Sequence, residues 1–84
     1  MGILTTLPNI SKVNEAKLIK AGIDTPEKLR ELGSREALMR VRIHADAGAC
    51  LNMLYGLEGA IRGIRWHDLP NDVKKELKDF HKSL

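Results

Sequence analysis

Apolar residues along this chain recur at intervals of three and four and nowhere alternate over the length of a strand, which is the pattern of amphipathic helices. Glycine, proline and capping residues cut the pattern into five segments. The first is expected to begin near Ser11, a capping hydroxyl after the turn Leu7-Pro8-Asn9-Ile10, and to end at Ala21-Gly22. Thr25-Pro26-Glu27 opens the second, with Thr25 as cap, Pro26 in the first helical position and Glu27 facing the positive end of the dipole; it closes at Leu32-Gly33. Ser34 is expected to cap a third, Arg35 to about His44, striped by Ala37, Leu38 and Val41. A fourth, roughly Ala49 to Arg62, is apolar over most of its circumference and reads as the central helix. The last starts at Pro70, with Val73, Leu77 and Phe80 inward and Lys74, Lys75, Lys78 and Lys82 largely outward.

The connections are too short for these segments to pack separately, so the expectation is one all-α domain over residues 1–84 with a single core. A chain of 84 residues with 4% aromatic side chains builds that core from aliphatics and has little room for a deep cleft. Its one cysteine, Cys50, excludes an internal disulfide and a multi-thiolate metal site and predicts a reducing, cytosolic setting. Cys50 itself is expected to be buried packing. The longest nearly apolar stretch, Ala47 to Leu57, falls short of the roughly 18 to 20 residues that span a bilayer. Gly2 and Thr6 match the short myristoylation pattern, which is common by chance, and no membrane role is expected.

Charge is modest, with a net +3 that sits N-terminally: residues 1–42 hold eight basic and five acidic side chains, residues 43–84 six of each. Such a surplus permits a phosphate-binding face but does not require one.

The stretch Leu7 to Leu29, with LPNI, then AGI, then TPEKL, resembles a helix-hairpin-helix unit. In that family the turn before the first helix usually reads Gly-hydrophobic-Gly, so that open backbone amides meet a phosphate. Asn9 and Ser11 stand at those positions here. The resemblance implies a candidate DNA contact made by Asn9, Ile10, Ser11, Lys12 and Lys17, through the backbone amides and the lysine charges and without base reading. The alternative is a hairpin used only for packing, with Ile10, Leu18, Ile23, Leu29 and Leu32 in the core.

Taken further, LPNI, AGI-x-TPEKLRELG, CLNMLYGLEGAIRGIRWHDLP and a closing amphipathic helix resemble the C-terminal domain of the TfoX/Sxy competence regulators over nearly the whole chain. The fold this implies is a compact SAM-domain-like bundle with a helix-hairpin-helix-like N-terminal half. The role it implies is cytosolic, bacterial and regulatory, tied to transcription of DNA-uptake genes, in a stand-alone version of that domain. Association with a regulatory protein partner or self-association is the expected mode, and weak binding to a double-stranded DNA backbone the alternative.

Chemistry read from the residues adds no turnover. His44, His67 and His81 lack the close spacing of metal ligands, so no metal or other cofactor is expected. Cys50 at a helix start with His67 as base is the one conceivable nucleophile pair, and a concave pocket holding both would be its signature. Asp68, Asp72 and Glu76 fall at helical spacing beside lysines and read as a solvated, salt-paired face. No small-molecule substrate is predicted. Gly56, Gly59 and Gly63 recur within or at the end of one helical pattern, each costing up to about 1 kcal/mol against alanine if interior, so the fourth helix is expected to cross a neighbour at short range, either inside the domain or across a dimer interface. Arg62, Arg65, Trp66 and His67 form a candidate partner surface; the alternative is that Trp66 covers the open end of the core while Asp68 helps to cap the last helix.

Overall fold

In the computed structural model the described residues are 3–84; Met1 and Gly2, and with Gly2 half of the myristoylation-like pattern, lie outside them. The described residues form α1 (Lys12–Lys20), α2 (Pro26–His44), α3 (Leu51–Arg62) and α4 (Asn71–Lys82), with 3-10 turns at Leu4–Thr6 and Trp66–Asp68 and no strand. The all-α class therefore holds, with four continuous helical segments rather than five, because α2 contains the expected second and third helices on either side of a kink.

The difference lies at Gly33. The predicted second and third helices both lie within α2 and meet at a kink of a single residue, Gly33, whose non-helical φ of 81° and ψ of 166° turn the chain and return it to helix with no spacer. A left-handed φ is cheap for glycine and for few other residues. Ser34, expected to cap a separate helix, is buried and instead donates its hydroxyl proton to Glu58 Oε1 on α3 at 2.6 Å. The kink is thereby pinned to the central helix.

The expected caps at Ser11 and Thr25 are present: Ser11 Oγ accepts from the Asn14 amide and Thr25 Oγ1 from the Lys28 amide. Asp68 does not cap α4. The cap position is Pro70, which has no polar side chain, and Asp68 lies two residues upstream in the exposed 3-10 turn.

α3 packs most extensively on α2 and also carries α4 and the Trp66–Asp68 turn. Leu18, Ile23, Leu29, Leu38, Val41, Leu54, Leu57 and Leu77 are fully buried around it, so the core is aliphatic. From the expected hairpin core, Ile10, Leu18, Ile23 and Leu29 are buried and Leu32 is half-buried. On α4, Leu77 is buried with Val73 and Phe80 packed beside it. Lys74 departs from the outward reading: its ammonium lies 5.7 Å from the centre of the Trp66 ring and donates to the His67 carbonyl at 3.1 Å. Among the described residues no helix is long and apolar enough to cross a membrane.

Candidate interaction site

The turn before α1 is the most constrained part of the surface. Asn9 has a φ of 69°, a left-handed conformation that asparagine tolerates better than most residues with a Cβ. The backbone so turned aims its carboxamide inward. Asn9 Nδ2 donates to the Ile64 carbonyl at 3.0 Å and, more weakly, to the Gly56 carbonyl at 3.4 Å, while Asn9 Oδ1 accepts from the Trp66 amide at 3.2 Å. One side chain thus joins the turn, α3 and the loop that leaves α3.

This contact accounts for Gly59, while Gly63 ends α3 in a left-handed cap with a φ of 74°. A Cβ on Gly59 would stand 2.5 Å from Asn9 Nδ2 and 2.8 Å from the Ile64 carbonyl oxygen, and one on Gly56 would stand 3.5 Å from Asn9 Cβ. The predicted close crossing of α3 is intramolecular, and what crosses is the Asn9 turn rather than another helix.

The charged residues that follow are also committed. Glu15 Oε2 accepts from the amides of Leu4 and Thr5 at 3.0 and 3.2 Å and so fixes the first 3-10 turn to α1. Lys17 Nζ meets Asp46 Oδ2 at 2.7 Å, and Asp46 Oδ1 accepts from the Gly48 amide at 3.0 Å. The Lys17 hydrogen bond, followed by that from Gly48, holds the Asp46 carboxyl below the ordinary aspartate range. Arg42 donates to the Ala49 carbonyl at 3.2 Å, which completes the loop between α2 and α3.

Between α1 and the start of α3 these contacts leave a cleft of about 340 Å³ lined by Asn9, Ile10, Asn14, Lys17, Asp46, Cys50, Asn52, Met53 and Trp66, among others. It brings three of the five candidate phosphate residues, Asn9, Ile10 and Lys17, together with Trp66 from the candidate partner surface. Ser11 and Lys12 are exposed outside the lining, and so are Arg62, Arg65 and His67.

Cys50 is exposed, which corrects the buried reading. The physical reason is the helix start: α3 begins at Leu51, leaving Cys50 in the cap position with extended backbone. His67 does not line the cleft with it, so the one conceivable nucleophile pair is not assembled there. Among the described residues no cluster of three or more His, Cys, Asp or Glu is placed to hold a metal ion.

On the far side of Trp66 the indole stacks on Tyr55, with ring centres 5.9 Å apart, and on His67 at 3.9 Å. Trp66 itself is half-buried and packs against the core. Arg62 is paired with Glu58 Oε2 at 2.7 Å. Burial pushes the Glu58 carboxyl up, but the hydrogen bonds from Ser34 and Arg62 and the charges of Arg62 and Arg35 outweigh it and hold the group below its ordinary value. The sequence points to Asn9 as a turn residue and a candidate contact, and carries no local sign that its carboxamide clamps the turn to α3, 47 residues away at Gly56.

With this geometry in place, comparison with known proteins gives the class. The TfoX C-terminal domain model matches residues 1–81, and the chain belongs to that family. It is 37% identical over 81 residues to protein Sxy of Escherichia coli strain K12, covering 96% of this chain and 38% of that protein. The chain thus spans about two-fifths of the length of that curated relative. Two crystal forms, triclinic and tetragonal, of a Listeria monocytogenes protein described as uncharacterized or of unknown function superpose with a TM-score of 0.92 at 54% identity. Each match covers 95% of this chain, and 90% and 96% of the respective Listeria chains. The kinship with competence regulators that the sequence motifs imply is thereby established at the level of the family.

Proposed function

We propose that this chain is a non-enzymatic regulatory interaction module that acts by associating with protein, in a cytosolic setting. The observation that carries this reading is that, beside the backbone amides of the turn, only one of the two lysine charges a phosphate would meet is left without an ion pair among the described residues. The Asn9 carboxamide is bonded to the α3 region, Ser11 Oγ is occupied by the Asn14 amide, and Lys17 is neutralised by Asp46. Of the five candidate phosphate residues, Lys12 alone keeps a side-chain charge without an ion-pair partner among the described residues. Neutralising several phosphates is what gives nucleic-acid binding its strength, and one free lysine supplies little of it. The exposed Arg65 and His67 beside half-buried Trp66 have the composition of a partner surface, with Arg62 at its edge.

The test is fluorescence anisotropy of a labelled DNA duplex at two salt concentrations, beside capture of protein partners from host extract. The folded chain is expected to leave the duplex unbound at low salt, and to capture a partner that the Arg62→Glu/Arg65→Glu variant loses. Micromolar or tighter duplex binding that weakens steeply with salt and disappears in Lys12→Glu/Lys17→Glu would overturn the reading in favour of backbone DNA contact. Because Lys17→Glu faces Asp46, the melting temperature of that variant is measured alongside.

A further inference from the structure

The outer face of α1 differs in kind from every surface described so far. Lys12, Val13, Ala16, Ile19 and Lys20 are all exposed, and at about 100° per residue they occupy one contiguous arc of the helix. Val13 is 65% and Ile19 40% exposed, so two branched apolar side chains stand in solvent on a helix only nine residues long. The same arc carries two lysines and no acid. The helix's one carboxylate, Glu15, is turned away to the amides of Leu4 and Thr5.

Among the described residues neither Lys12 nor Lys20 forms an ion pair, whereas Lys17, Lys28, Arg35, Arg40 and Arg62 each do. Solvated lysines alone would be ordinary, and so would a single exposed valine. What is specific here is the order: a basic group near each end, about 12 Å apart along the axis for eight residues of helix, with Val13, Ala16 and Ile19 between or beside them.

We infer that this face of α1 docks an acidic, amphipathic helical segment of a protein partner. The inference rests on the protein-association reading above and gives the partner its chemistry. Charge complementarity calls for two carboxylates spaced about two turns apart on the partner helix, and the apolar arc calls for leucine-like side chains at three- and four-residue spacing between them. Ala16 lets the two helix axes approach closely at the middle of the contact. A DNA backbone fits less well, since Val13 and Ile19 have nothing to give a phosphate and would be covered without an apolar counterpart.

The experiment is an NMR titration of the folded chain with two helical peptides of about 14 residues, long enough to cover α1. One carries leucines flanked by two glutamates, the other the same leucines flanked by lysines; a short DNA duplex is the third probe. The acidic peptide is expected to shift the amides of residues 12–20, with an affinity that falls about tenfold in Lys12→Glu/Lys20→Glu and about as much in Val13→Asp/Ile19→Asp. The charge-reversed lysine double variant should in turn prefer the basic peptide. No shift with the acidic peptide, equal shifts with both peptides, or shifts by the duplex that survive Val13→Asp/Ile19→Asp would each overturn the assignment. Capture from host extract separates this failure from that of the wider reading. A partner retained by Val13→Asp/Ile19→Asp but lost by Arg62→Glu/Arg65→Glu leaves protein association standing and removes α1 as its surface.

Discussion

On its inner side the segment from Asn9 to Lys20 commits its polar side chains to the protein: Asn9 to α3 and its exit loop, Glu15 to the first 3-10 turn, Lys17 to the loop before α3. On its outer side α1 leaves Lys12, Val13, Ile19 and Lys20 exposed, with neither lysine in an ion pair among the described residues. The contrast shows that a polar residue at a motif position is not thereby a binding residue. Asparagine replaces a motif glycine here because both tolerate the left-handed turn, but only asparagine brings a carboxamide that can bridge two distant carbonyls and an amide. The inner side should accordingly be costly to alter, and the outer side nearly free.

The largest effect is expected at Gly59. An alanine there sets its Cβ 2.8 Å from a backbone oxygen that belongs to the exit turn of α3, and 2.5 Å from the Asn9 amide nitrogen. The turn must move or the clamp must open, at a cost of about 3 kcal/mol by the usual scale of overpacking. Urea denaturation of Gly59→Ala should show it, and a change below about 1 kcal/mol would mean that the turn yields easily and the clamp is loose. Asn9 comes next. Asn9→Ala loses the bonds to Ile64 and Trp66 and places alanine at a φ of 69°, for about 2 to 3 kcal/mol in total. Asn9→Gly keeps the backbone comfortable and loses only the bonds, so the difference between the two variants isolates backbone strain. Equal destabilisation by both would place the whole effect in the carboxamide.

A smaller effect sharpens the comparison on the opposite flank of α3. Ser34 and Arg62 together hold the half-buried Glu58 carboxylate below its ordinary value of 4.5. A group whose folded value is lowered stabilises the protein above its unfolded value and loses that contribution as pH falls through the folded one. Thermal stability should therefore drop as pH is lowered from about 5.5 through 4 and below, and Glu58→Gln should flatten that part of the profile. Ser34→Ala should cost about 1 to 2 kcal/mol, because a buried hydrogen bond to a charged acceptor is lost. An acid profile identical in Glu58→Gln would remove Glu58 from the account of the Gly33 kink.

How far the sequence could carry this picture depended on whether a signal was local. Ser11, Thr25 and Pro26 announce helix starts through bonds within three residues, and those starts stand where expected. Leu32-Gly33 reads as the end of one helix, and Gly33 is indeed non-helical; what the periodicity does not say is that the next helix resumes at once, with no connecting loop. Ser34 looked like a cap because the local rule favours it, while its actual partner, Glu58, is 24 residues away. The apolar run around Cys50 points it to the core, yet Cys50 is exposed because the helix begins one residue later. Of the site, the glycines of α3 were legible as a place of close approach; the visitor, Asn9, was not, because only tertiary packing puts it there.

The smallest effects are expected on the outer side, and they are the most informative about function. Of the inner contacts the Lys17–Asp46 pair comes nearest to them, since its partners are each about one-third exposed and solvent screens the pair, so Lys17→Ala should lower the melting temperature only slightly. Val13→Asp and Ile19→Asp should change stability by no more than about 0.5 kcal/mol each, since exposed positions lose little packing. Val13→Asp stands in the first turn of α1, where a negative charge also complements the helix dipole, so a slight rise in melting temperature is the expected sign. Ile19→Asp stands in the last turn, where the dipole opposes it, so a slight fall is expected there. Opposite small shifts of this kind would show that the outer face contributes nothing to the core except through helix electrostatics. A loss of more than about 1 kcal/mol at either position would mean that the face packs within the chain and is not open to a partner.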